Sequence, residues 1–101
     1  MRRGYNRGMP KLLENLAHGT PVLSVTEGRL GEVRGVFAMA ETRVPECLLI
    51  FWDDTKEETL LDTDEVLSIT DDGIVLRSAR KMYEVLPAYD PQSNPMLTRL
   101  S

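Results

Sequence analysis

From Thr20 to Arg77 the chain repeats one pattern: a short run of alternating or wholly apolar residues, then a turn of acids or glycine. A period of two sends successive side chains to opposite faces of a sheet and cannot be satisfied on a helix. The pattern is sharpest in Glu27–Val36, where Glu27-Gly28 reads as a tight turn feeding a long strand. Glycine at 28 suits a turn position with positive φ, and glycine at 31 lets another backbone or a large side chain come close.

Six strands follow from this pattern. Pro21–Val25 is the first, with proline kept to its start. Leu30–Ala40 is the second, with Val33, Gly35, Phe37 and Met39 on one face and Glu32, Arg34, Val36 and Ala38 on the other. Its length predicts a bulge near Gly35. After the polar connection 41–45, Cys47–Trp52 is apolar on both faces, so it is central or carries a surface meant for a partner. Glu58–Leu61, Val66–Ile69 and Ile74–Arg77 complete the set, separated by a helical turn capped by Asp62 and by the hairpin turn Asp71-Asp72-Gly73.

The flanks read differently. Residues 1–9 form a flexible basic arm. Pro10–His18 predicts a short helix with Leu12, Leu13 and Leu16 on one face, ended by Gly19. Ser78–Leu86 predicts a second helix with Met82, Val85 and Leu86 turned inward. Residues 87–101, interrupted by Pro87, Pro91 and Pro95, predict an extended tail without a regular element. The expected fold class is mainly β: a small, mostly antiparallel six-stranded β-barrel over residues 10–77, with a short N-terminal helix and a candidate C-terminal one. At 101 residues the chain supports one modest core.

Gly19-Thr20-Pro21-Val22, then Glu27-Gly28-Arg29-Leu30-Gly31-Glu32-Val33, resembles the first hairpin of the PRC-barrel family. So does Leu61–Leu76, where an acidic turn leads into Val66, Ile69 and Asp71-Asp72-Gly73-Ile74-Val75-Leu76. The family takes its name from the cytoplasmic domain of the photosynthetic reaction centre H subunit and includes a domain of a bacterial ribosome maturation factor. The resemblance covers residues 19–77. It departs at Leu61-Asp62, where a proline commonly precedes the acidic turn. It implies a small β-barrel whose role is protein–protein contact or regulation, and it brings no catalytic residue and no cofactor.

The residues by themselves also point away from catalysis. His18, the only histidine, has neither nucleophile nor orienting acid near it in sequence. Cys47, the only cysteine, lacks a partner thiol and suits a small apolar position in a reducing cytoplasm. Three acid clusters lie between Asp53 and Asp72: Asp53, Asp54, Glu57 and Glu58; then Asp62, Asp64 and Glu65; then Asp71 and Asp72. They belong to different turns and lack calcium-loop spacing, so a solvated face is expected in place of a metal site. No apolar run reaches the length of a signal peptide or a membrane span.

Two surfaces remain. Ile50, Phe51 and Trp52 are the candidate interface for a protein partner or a second copy, because aromatics anchor desolvated contacts. Arg2, Arg3, Tyr5, Arg7 and Lys11 are the candidate nucleic-acid contact of an RNA- or ribosome-associated factor. The net charge of −4 and the few cations of that arm rank nucleic acid behind protein.

Overall fold

A computed structural model of the chain describes residues 13, 15–93 and 96–100. It is mainly β. The strands are β1 (Pro21–Ser24), β2 (Gly28–Met39), β3 (Pro45–Trp52), β4 (Glu58–Asp62), β5 (Val66–Thr70), β6 (Gly73–Leu76) and β7 (Leu97–Arg99). They form one seven-stranded sheet in the order β4-β3-β2-β1-β6-β5, with β7 added to β2. All pairings are antiparallel except β1 with β6. Among the described residues β4 and β5 end the order without pairing, so hydrogen bonds do not close the sheet into a cylinder.

The inner face of this sheet holds one core. Val22, Val33, Val36, Leu48, Ile50, Trp52, Leu61, Val66, Ile74 and Leu76 are all buried there, and each is contributed by a strand. The β1–β2 turn and the crossing of β2 by β3 depend on two glycines. Gly28 has φ of 77°, the left-handed region that side-chain-bearing residues disfavour. A β-carbon at Gly31 would overlap the Phe51 carbonyl oxygen, so only glycine lets β3 approach there.

The bulge expected near Gly35 is present, and it changes which residues face inward. Val33 pairs with Ile50 and Gly35 with Leu49, leaving Arg34 as the extra residue. The alternation therefore skips a beat. Val33 and Val36 both enter the core, while Phe37 turns outward beneath Tyr89, with ring centroids 5.8 Å apart. A single unbroken alternation along this strand, as the sequence suggested, is corrected by that inserted residue.

Three further expectations are corrected. The helix over Pro10–His18 does not run to His18: Leu13 is helical, but Asn15 is in a turn and residues 16–17 have no regular structure. The Gly19 N–H bonds to the Val33 carbonyl at 2.8 Å, which draws this segment onto the sheet. Leu13 and Leu16 still join the core, and residues 10–12 lie outside the described ones. The helix over Ser78–Leu86 is a four-residue 3-10 helix, Arg80–Tyr83. Its bonds run three residues back, from Met82 to Ala79 and from Glu84 to Lys81, and that tighter winding turns Arg80 and Tyr83 inward together. Met82 and Val85 are left 61% and 86% exposed.

Last, the tail expected to lack regular structure contains a 3-10 helix at Pro91–Ser93 and the strand β7, so among the described residues the strands number seven in place of six. Beyond Pro95 nothing forbids a ladder. The Leu100 N–H reaches the Val36 carbonyl at 2.6 Å, and the Ala40 N–H reaches Met96 at 3.2 Å.

Candidate interaction groove

Segment 78–86 packs on the core through Tyr83, beside β4. Between the two lies a cleft of about 290 Å³ lined by Leu60, Leu61, Asp62, Glu65, Ser78, Met82, Tyr83 and Leu86. Leu61 is its buried floor, with Leu86 half-buried and Met82 exposed on its wall. Asp62 and Glu65 supply negative charge at one end.

The wall is held in place through Trp52. Its indole N–H donates to Thr59 Oγ1 at 2.8 Å, which satisfies the only polar atom of a side chain that is 1% exposed. Tyr83 stacks on the ring with centroids 5.7 Å apart and planes 17° from parallel. The Arg80 guanidinium lies over the same ring, 4.1 Å from a centroid, and donates to Asp54 at 3.2 Å. The Arg80 backbone N–H reaches Glu27 Oε1 at 2.8 Å. The Tyr83 hydroxyl donates to Glu65 at 2.9 Å and accepts the Ser78 N–H at 3.2 Å. Burial, reinforced by the bond to Glu65, pushes the phenol above its ordinary range.

The candidate interface residues of β3 part company here. Ile50 and Trp52 are core residues, 0% and 1% exposed. Of the three, Phe51 alone presents a ring outside the core, half-buried under Arg34, whose guanidinium lies 4.2 Å from its centroid. Arg34 also pairs with Glu32 at 2.6 Å, and that bond lowers the Glu32 carboxyl below its usual range. The second apolar face of β3 is covered by the chain itself: Leu49 is buried, and Phe37 next to it lies under Tyr89.

The acid clusters serve separate local bonds. Asp53 pairs with Arg29, Asp54 with Arg80, Glu58 with Arg34, and Asp62 accepts the Asp64 N–H as a cap. Among the described residues no three His, Cys, Asp or Glu side chains are placed to hold a metal ion. Cys47 is half-buried, and burial raises its thiol pKa, with Asp62 and Glu46 adding to the effect. No described helix is long and apolar enough to cross a membrane. The candidate nucleic-acid residues Arg2, Arg3, Tyr5, Arg7 and Lys11 lie outside the described ones.

Sequence reading missed Arg80 and Tyr83, the residues that build the groove wall. The signal was their spacing of three, which a 3-10 helix places on one side and a 3.6-residue helix blurs. No family model matches the chain, and no curated protein or solved structure is found to be similar to it.

Proposed function

We propose that this chain is a non-enzymatic interaction or assembly module, built on an open sheet that resembles a PRC-barrel domain and working in the cytoplasm. One observation carries the reading. The cleft beside β4 is floored by Leu61 and walled by Leu86 and the strongly exposed Met82. Apolar side chains gathered beside a sheet edge suit protein contact. The titratable groups of the groove support a binding role: Asp62, Glu65 and Tyr83 are each committed to hydrogen bonds that hold the fold. The resemblance of residues 19–77 to PRC barrels agrees with a contact role, and a lone free cysteine suits a reducing compartment.

The test is site-specific photocrosslinking in cells, with a benzophenone amino acid replacing Met82 or, as a control, Lys56 in an exposed turn. Protein adducts from position 82 and none from position 56 are expected. Equal labelling from both, or none from either, overturns the reading. Sedimentation velocity over a dilution series then states whether the partner is a second copy.

A further inference from the structure

The edge of β4 beside the groove has a readable hydrogen-bonding direction. The Trp52 N–H donates to the Glu57 carbonyl at 2.9 Å, so that carbonyl points toward β3. The Tyr89 N–H donates to the Glu58 carbonyl at 2.7 Å, so that one points away. Backbone groups alternate along a strand, which turns the N–H and C=O of Leu60 outward as well. Among the described residues neither Leu60 group has a partner on that side, and β4 ends the strand order. Tyr89 thus makes the first edge contact from the chain itself, and the ladder stops one step later.

The same alternation assigns the side chains around this edge. Glu58 and Asp62 pair with Phe51 and Cys47 on the outer face, and Leu60 lies between them. Leu61 faces inward at the floor of the groove. A strand added at Leu60 would therefore send one set of side chains into the groove beside Leu61, Met82 and Leu86. It would send the other set outward beside Asp62 and Glu58.

Charge decides what kind of strand fits. Asp53, Asp54 and Glu58 are paired with Arg29, Arg80 and Arg34, whereas Asp62 and Glu65 at the groove make no ion pair among the described residues. A second copy pairing symmetrically about Leu60 would set Glu58 against Asp62 from each side, and like charges directly opposite destabilise a ladder. A cationic strand meets the opposite situation. Resting on the interaction reading above, we propose that the β4 edge takes up an extended segment of another protein in which apolar residues alternate with lysine or arginine.

The probe is a fluorescein-labelled peptide, acetyl-Lys-Val-Lys-Leu-Lys-Val-Lys-amide, titrated with the full chain and followed by anisotropy. Saturable binding is expected, weakened about tenfold by raising salt from low to several hundred millimolar. The pair Asp62→Asn and Glu65→Gln keeps the cap and the Tyr83 acceptor while removing both charges. It should weaken binding about fivefold while the chain keeps a cooperative melting transition. Methylating alternate backbone nitrogens of the peptide should abolish binding, because strand addition needs those donors. The proposal is overturned if no saturable binding occurs, if a peptide with glutamate for lysine binds equally, or if the methylated peptide binds unchanged. Crosslinks from position 82 that persist in any of those cases leave the interaction reading standing and remove the cationic strand alone.

Discussion

Residues 78–86 and residues 96–100 both close over the sheet, the first through side chains and the second through its backbone. The 3-10 helix Arg80–Tyr83 is fastened by a stack of three side chains, Arg80 and Tyr83 on Trp52, with hydrogen bonds to Asp54 and Glu65 at the rim. β7 is fastened by a short antiparallel ladder to Phe37, Ala38 and Met39. Arg99 adds a contact over the Phe37 ring and a bond to the Arg34 carbonyl. Side-chain fastening forms no ladder with the sheet, and here it leaves a cleft. Ladder fastening covers part of β2 and moves the edge to β7.

Trp52→Ala should break the contrast most severely, because it removes the surface on which the 78–86 segment rests. A loss of about 3–5 kcal/mol is expected from denaturant unfolding, as for large-to-small changes in a packed core. Thr98→Pro is the corresponding test of the other segment. The Leu100 and Ala40 bonds set the phase of the ladder so that the Thr98 N–H faces Ala38, and proline removes that donor. About 1–2 kcal/mol should be lost, with faster amide exchange confined to residues 36–40.

Smaller changes sharpen the comparison. Arg80→Met keeps much of the packing on Trp52 and removes the cation and its bonds to the more exposed Asp54. About 1 kcal/mol is expected, read from thermal unfolding. If the loss matches that of Trp52→Ala, the guanidinium and not the ring stack holds the segment.

Tyr83→Phe keeps the stack and removes one hydroxyl, for about 0.5–1.5 kcal/mol near neutral pH. It also has a pH signature. The phenol is raised above its ordinary value of 10.0, first by burial and then by Glu65. The folded chain therefore holds this proton more tightly than the unfolded chain. Its contribution is full below pH 10 and is lost as pH rises through the raised value. The Phe variant should lack that part of the alkaline loss, measured as stability against pH from neutral to strongly basic.

Alternation and turn signals placed six of the strands within residues 20–77: a period of two admits only a sheet, and the wholly apolar run 47–52 is short and bounded by polar turns. The turn at Gly28 and the close approach at Gly31 were readable for the same kind of reason: each needs a residue with no side chain. A strand apolar on both faces, with Phe51 and Trp52 adjacent at its end, was readable too. Which of the two would be buried was not, since that depends on Arg34 arriving over one ring and Tyr83 over the other.

What the sequence determined by itself is thus local: strand positions, turn chemistry, the bulge near Gly35 and the acidic character of the β4 flank. The tertiary structure alone decided the rest. It set the phase of β2 beyond the bulge, the conversion of 78–86 into a 3-10 clamp, the recruitment of 97–99 as a strand and, among the described residues, the unpaired edge at Leu60. The physical reason is range. Alternation and φ preference act between neighbours in the chain, whereas ladder partners and ring stacks join residues far apart in sequence, whose meeting no local pattern encodes.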